Sequence, residues 1–213
     1  IIGDRAFSTD PETVAVLGRE VMNGMVAGGV LPVIKHVPGH GRALADSHKS
    51  LPHIDVSRDA LEEVDFLPFR ELRDAPLAMT AHVLLPAYDE QNPATLSPAI
   101  MKEVIRDQLG LTGLIMTDDI GMKALSGTPG DLTRAVIAGG CDVALHCSGK
   151  FDEMVDVAGA APELAGNSLE RFDRALACLA APKPFDEAEA LAIVSEAAET
   201  RVAQVGPDPT VQA

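Results

Sequence analysis

The chain alternates short apolar runs with amphipathic segments, and this alternation is what most constrains its fold. The apolar runs do not alternate polar and apolar residues, as expected of strands that are covered on both faces. Parallel strands must be joined by crossovers, which are usually helices. The sequence therefore predicts an α/β fold with a parallel sheet. Its predicted strands lie at residues 31–35, 77–82, 114–117 and 142–145.

Capping residues mark the ends of the predicted helices. Asp10-Pro11 before an apolar-periodic segment is typical of a helix start, and Gly28-Gly29 is typical of a helix end. Similar signals bound the later segments. The predicted helices cover residues 14–27, 57–73, 98–109, 132–138, 151–161, 168–179 and 186–199.

Polar side chains follow every predicted strand, which favours a closed barrel over an open sheet. An open sheet concentrates its ligand groups at one switch point, whereas a barrel gathers all strand ends around one mouth. The strand-end residues are Lys35, His36, His82, Asp118 and His146. A complete barrel needs eight strands, so we expect the C-terminal half of a TIM-type (β/α)8 barrel, with the N-terminal strands missing from this chain. Residues 1–199 would form the partial catalytic barrel domain and residues 200–213 a C-terminal tail.

Charge and composition exclude several classes of function. The 213 residues carry 32 acidic and 17 basic side chains, a net charge of −15, so a nucleic acid or an anionic membrane would be repelled. No apolar run reaches the roughly 20 residues that span a bilayer, and no leader opens the chain, so the expected location is the cytoplasm. The three cysteines lack the paired spacing of a disulfide framework or a zinc site.

The segment 35–48 holds the densest set of reactive side chains, namely three histidines, a lysine, an arginine and an aspartate. Pro38 and two glycines end the preceding strand and leave this segment as a loop at its C-terminal end. Asp46 and His48 are two residues apart, so an extended loop would put both side chains on one side. An imidazole oriented by a carboxylate can serve as general acid and base.

Asp118 ends the third predicted strand, where a carboxylate at a barrel floor could act as a nucleophile. Asp119 would point the other way, because neighbours on a strand alternate. The simpler interpretation is that the Asp-Asp pair caps the following helix.

Five motifs, taken in order, resemble the family-3 glycoside hydrolases of the β-N-acetylhexosaminidase type, over nearly the whole chain to about residue 180. They are IGDRAF at 2–7, KHVPGHG at 35–41, DSH at 46–48, MTAH at 79–82 and TDDIGM at 117–122. The resemblance implies that Asp118 is the nucleophile and that Asp46 and His48 form an acid/base dyad on a mobile loop.

The same resemblance implies that Arg5, Lys35 and His36 hold sugar hydroxyls, whereas Met122 either lines the pocket or only packs. It further implies a retaining exo-β-N-acetylglucosaminidase of cell-wall recycling, acting on muropeptides derived from peptidoglycan. Its partner would be a carbohydrate that contains N-acetylglucosamine, and neither a metal nor an organic cofactor is expected. β-Glucosidase relatives are less favoured, because they typically have Trp after the nucleophile and this chain has Asp119 there.

Two alternatives from other classes stay open. A metal-dependent hydrolase could use the imidazoles and carboxylates of this cluster as zinc or manganese ligands. Its ligands would come from His36, His40, Asp46, His48 and Asp118. A non-catalytic half-barrel that acts as a binding module is the other alternative, since four units alone expose unpaired strand edges.

Overall fold

The computed structural model describes residues 3–47 and 49–202, which contain a four-stranded parallel sheet. The strands are β1 (Val33–Val37), β2 (Leu77–Thr80), β3 (Leu114–Asp119) and β4 (Val143–Leu145). Their spatial order equals their sequence order, β1-β2-β3-β4, and each adjacent pair is parallel. This order contains no switch point, as in a stretch of a β/α barrel. The predicted α/β fold with a parallel sheet is confirmed.

Helices connect the strands and cover the sheet. They are α1 (Pro11–Ala27), α2 in three segments (Arg58–Ala60, Leu61–Asp65 and Leu67–Glu71), α3 (Ile100–Gln108), α4 (Pro129–Ala138), α5 (Phe151–Ala160), α6 (Gly166–Ala177) and α7 (Glu187–Val202), preceded by a single 3₁₀ turn (Gly3–Arg5). None of the helices in the described ranges is long and apolar enough to span a bilayer.

Local hydrogen bonds explain where the helices begin. Asp10 accepts the backbone N–H of Thr13 at 3.0 Å, and Thr128 accepts that of Asp131 at 3.1 Å. Each capping side chain satisfies an amide that has no partner inside the helix, and Pro follows each cap because that position needs no amide hydrogen.

Two of the differences from the predicted boundaries have a clear physical cause. β1 starts at Val33, two residues later than expected, since Pro32 has no amide hydrogen to donate to a neighbouring strand. Lys35 and His36 therefore lie inside the strand. The single helix predicted over 57–73 is interrupted, because the N–H of Phe66 bonds to the carbonyl of Leu61, five residues back, and Pro68 interrupts the ladder that follows.

The core lies between the sheet and the helices. Val37, Ala78 and Ile115 of the strands are almost fully buried, as are Phe66 of α2 and Ile105 of α3. This packing fixes the four strands, and so it fixes the positions of the side chains at their C-terminal ends.

Candidate active site

Asp118 is the second-last residue of β3, and its carboxylate faces the end of β1. Its Oδ1 accepts the backbone N–H of Asp119 at 2.9 Å, and its Oδ2 lies 3.5 Å from Nε2 of His36. Both side chains keep partial solvent access, 19% for Asp118 and 14% for His36. A carboxylate held by its own backbone and open on one oxygen is suited to attack a bound electrophile.

Burial and several neighbouring charges together determine the pKa of His36. Burial lowers its pKa from 6.5 to about 4; the Asp118 carboxylate opposes this shift, and the positive charges of Lys35 and Arg5 add to it. The imidazole is therefore neutral near pH 7 and can donate or accept one hydrogen bond from a hydroxyl. The positive charges of Arg5, in the 3₁₀ turn, and of Lys35 both act on the His36 ring, although both side chains are solvent-exposed.

His40 lies behind His36. Its ring meets that of His36 edge-on, with centroids 5.8 Å apart and planes at 88°. Burial lowers the pKa of His40, so this ring also favours the neutral form. Its Nε2 lies 3.5 Å from Oγ of Ser47, and its buried Nδ1 has no hydrogen-bond partner within the described ranges. From the sequence His40 was named only as a possible metal ligand, and its place in the same histidine-rich segment as His36 was the available signal for this contact.

The loop that carries the predicted acid/base dyad is anchored at several points. Arg42 Nε donates to Asp65 Oδ2 at 2.6 Å, and the carbonyl of Ser47 accepts the N–H of Ala124 at 3.2 Å. The carbonyl of Asp46 accepts the N–H groups of Lys49 and Ser50 at 2.8 and 3.0 Å. The chain thus turns back after Asp46, and the extended course expected for this loop is wrong. His48 lies outside the described residues.

Asp119 has a different role from that of its neighbour. Its Oδ1 accepts the N–H of Gly121 at 2.9 Å and that of Cys147 at 3.1 Å. His82 is fully buried, and its Nε2 lies 2.9 Å from the carbonyl of Asp119. A carbonyl only accepts, so Nε2 of His82 carries the proton. Asp119 therefore joins the ends of β2, β3 and β4.

Met122 follows this group and is largely buried, with its N–H bonded to the carbonyl of Asp119 at 3.1 Å. His146, which the sequence placed only at a strand end, lies next to Asp119, with Nδ1 3.7 Å from Oδ1. Its position directly after β4, comparable to that of Asp118 near the end of β3, was the available signal.

A cavity of about 770 Å³ lies away from this group, at the opposite end of the sheet. It is bordered by Asp142, Arg106 and Arg171, which are paired with one another. We assign the site to the C-terminal strand ends, because ligands of parallel α/β folds bind there. Within residues 3–47 and 49–202, no three His, Cys, Asp or Glu side chains form a group that could hold a metal ion.

Known proteins resemble this chain in sequence. A β-hexosaminidase of Chromobacterium violaceum is 36% identical over 178 residues, which are 82% of this chain and 50% of that protein. A β-hexosaminidase of Alkalilimnicola ehrlichii is 43% identical over 152 residues, 70% of this chain and 43% of that protein. The chain thus spans about half the length of these curated relatives.

Solved structures share the fold. A glycoside hydrolase family 3 β-N-acetylglucosaminidase from a Paenibacillus species has a TM-score of 0.75 and 30% identity, with 88% of this chain and 39% of that chain covered. NagZ from Neisseria gonorrhoeae, in complex with N-trifluoroacetyl-D-glucosamine, has a TM-score of 0.71 and 31% identity, with 82% and 50% covered. The family model described as "Glycosyl hydrolase family 3 N terminal domain" matches residues 1–177, and the chain belongs to this family.

Proposed function

We propose that this protein acts as a retaining exo-β-N-acetylglucosaminidase, with residues 1–199 as its catalytic unit. The observation that carries the proposal is the Asp118 carboxylate, fixed at the end of β3 with Oδ2 3.5 Å from a neutral His36. The names of the relatives, β-hexosaminidase and β-N-acetylglucosaminidase, support the same reaction class.

In the proposed reaction Asp118 attacks the anomeric carbon and the glycosidic C–O bond breaks. His48 gives a proton to the departing oxygen, and a glycosyl-enzyme ester forms. His48 then takes a proton from water, whose oxygen attacks the anomeric carbon and releases the sugar and the Asp118 carboxylate. Two displacements at one carbon retain its configuration.

Asp46 is assigned to orient the ring of His48 and to favour its protonated form. The bonds from Lys49 and Ser50 to the carbonyl of Asp46 fix the backbone at this residue. Arg42 and Ser47 anchor the loop on either side of its exposed tip at Leu44, so Asp46 lies on a short segment between two fixed points.

Substrate binding is assigned to Arg5, Lys35, His36 and Met122. The two exposed cations and the neutral imidazole offer hydrogen-bond donors to hydroxyl and acetamido oxygens, and Met122 offers an apolar surface. The terminal N-acetylglucosaminyl group is itself neutral, so the net charge of −15 does not repel the part of the substrate that Asp118 would attack.

The proposed natural substrates are terminal N-acetylglucosamine residues of muropeptides from peptidoglycan, released in the cytoplasm during cell-wall recycling. Incubation with purified N-acetylglucosaminyl-anhydromuramyl fragments, followed by mass spectrometry of the products, tests this choice. Release of free N-acetylglucosamine is expected. Cleavage of aryl glycosides with no cleavage of these fragments would contradict the choice of substrate but not the reaction.

Substitution of the two central residues tests the mechanism. Asp118→Asn should abolish turnover of an aryl β-N-acetylglucosaminide. His48→Gln should slow poor leaving groups by about 10²–10⁴-fold and activated aryl groups much less, because the latter depart without a proton. Steady-state rates on a series of leaving groups measure this difference. Normal turnover by Asp118→Asn would exclude the assigned nucleophile, and a wild-type protein that binds the sugar without cleaving it would favour a binding module.

A further inference from the structure

His146 occupies a site that the proposed reaction does not use. It directly follows β4, and its side chain is only 4% exposed. The ring lies between two carboxylates, with Nε2 3.1 Å from Oε2 of Glu153 and Nδ1 3.7 Å from Oδ1 of Asp119. Oγ of Ser148 lies 2.8 Å from the same Nε2. The contact with Asp119 is ionic and not a hydrogen bond, and the buried Nδ1 has no hydrogen-bond partner within the described ranges, so Glu153 and Ser148 supply the ring's hydrogen bonds.

The carboxylate that His146 faces connects two loops. Oδ1 of Asp119 accepts the N–H of Gly121, in the loop after β3, and that of Cys147, in the loop after β4. The N–H of Ile120 also bonds to the carbonyl of Leu145 at 2.9 Å. A displacement of the Asp119 side chain would therefore break one hydrogen bond to each loop and leave the backbone bond of Ile120 as a remaining link between them.

Packing at Gly121 shows how closely these groups fit. A Cβ at this position would lie 3.1 Å from Oδ1 of Asp119 and 3.3 Å from Cε1 of His146. Both distances are tighter than ordinary van der Waals contact, so a side chain there would require the ring or the carboxylate to move by a few tenths of an ångström. The loop after β3 therefore packs closely against the His146 ring, while its hydrogen bond goes to Asp119.

The link to the nucleophile is short. Oδ1 of Asp118 accepts the N–H of Asp119, so the backbone of Asp119 sets the rotamer of Asp118. We propose that His146, oriented by Glu153 and Ser148, is a positioning residue that holds Asp119 and through it aims the Asp118 carboxylate at the anomeric carbon. This inference rests on the proposed hydrolase function.

His146→Leu removes both ring nitrogens and keeps an apolar side chain of moderate size. We expect kcat for an aryl β-N-acetylglucosaminide to fall by about 10–100-fold with KM nearly unchanged, because a nucleophile that is misplaced by about 1 Å reacts slowly while the sugar still binds. His146→Gln, which keeps a donor for Glu153, should recover part of kcat. His53→Leu, at an exposed histidine outside the site, is the matched control and should keep wild-type kinetics.

Amide hydrogen exchange supplies a readout that does not need turnover. In His146→Leu the amides of Gly121 and Cys147 should exchange faster than in the wild type, while those in the core of β3 stay protected. An unchanged kcat in a folded His146→Leu variant, or a change in KM alone, would overturn the inference. If the wild type cleaves no N-acetylglucosaminide, the hydrolase proposal fails by itself, and unchanged exchange at Gly121 and Cys147 would then overturn the positioning role.

Discussion

At the scale of single residues, environment separates the roles of like side chains. Asp118 and Asp119 are neighbours with different contacts. Oδ2 of Asp118 faces the ring of His36, whereas Oδ1 of Asp119 accepts two backbone N–H groups. The rings of His36 and His82 differ in the same way, since His82 bonds to Thr95 and to a carbonyl and His36 faces the site. A catalytic assignment must follow these contacts rather than residue type.

The depressed pKa of His36 predicts a loss of stability in acid. The pKa is about 4 in the folded protein and 6.5 for an unperturbed ring, so protonation favours the unfolded chain. The stabilising contribution is complete above about pH 6.5 and is lost as the pH falls through about 4. We expect the urea midpoint to fall across this window, and to fall less in His36→Gln.

The control for this experiment is His53→Gln, which changes an exposed histidine and should keep the pH dependence of the wild type. Equal losses of stability in the wild type and in His36→Gln, over the same pH range, would contradict the assignment.

At the scale of elements, a buried ion network holds the end of the sheet that is remote from the site. Asp142, just before β4, accepts Arg106 of α3 at 2.8 Å and Arg171 of α6 at 2.7 Å. The same carboxylate accepts Oγ of Ser168 at 2.6 Å and the N–H of Ile115 at 2.8 Å. It is 1% exposed, so these four donors replace its hydration.

Asp142→Ala should destabilise the fold by at most about 3–5 kcal/mol, because it leaves two partly buried guanidinium groups, 16% and 22% exposed, without their partner. Urea unfolding measures the change. Asp107→Ala, which removes an exposed partner of Lys102, is the matched control and should leave stability nearly unchanged. Equal effects of the two substitutions would show that the buried network is not a main support of β4.

Two glycines are expected to respond in opposite ways to substitution by alanine. A Cβ on Gly113 would collide with the carbonyl oxygen of Ala75 and lie 2.7 Å from that of Pro76, whereas one on Gly24 in α1 would meet nothing within 4 Å. Gly113→Ala should therefore cost about 1–3 kcal/mol or more. Gly24→Ala should stabilise α1 by about 0.5–1 kcal/mol. Thermal unfolding of both variants checks the sign, and a stabilising Gly113→Ala would contradict this packing.

The sequence predicted well those helices and strands whose positions depend only on local residue patterns. Apolar runs and caps located all four strands and the start of α1, because burial and orphan amides act locally. The break in α2 depends on a bond from Phe66 to Leu61, and the turn after Asp46 depends on Lys49 and Ser50, which periodicity does not encode. The contact of His146 with Asp119 joins residues that are distant in sequence, so only the packed sheet reveals it.

At the scale of the whole molecule, the protein combines exposed apolar side chains and unpaired strand edges with a large negative charge. In the described ranges β1 and β4 each pair with one neighbour, and each therefore has an unpaired side. Val16 and Val21 of α1 and Phe151 and Val155 of α5 are exposed. Such surfaces favour association, whereas a charge of −15 opposes it.

The 213-residue chain should therefore associate at high salt and stay dispersed at low salt, because salt screens the repulsion but not the apolar contact. Sedimentation velocity at several protein and salt concentrations measures this. Replacing Val16 and Val21 together by lysine and glutamate should shift the association to higher protein concentration. A monomer at every salt concentration would contradict the role of these surfaces.

The most direct test of the central claim is to trap the sugar on the enzyme. A 5-fluoro N-acetylglucosaminyl fluoride, whose ring fluorine slows both displacements while the leaving group favours the first, should label the protein with one sugar. Peptide mass spectrometry should find this sugar as an ester on Asp118, and Asp118→Asn should stay unlabelled. A label on another carboxylate, or turnover without any labelling of Asp118, would contradict the account.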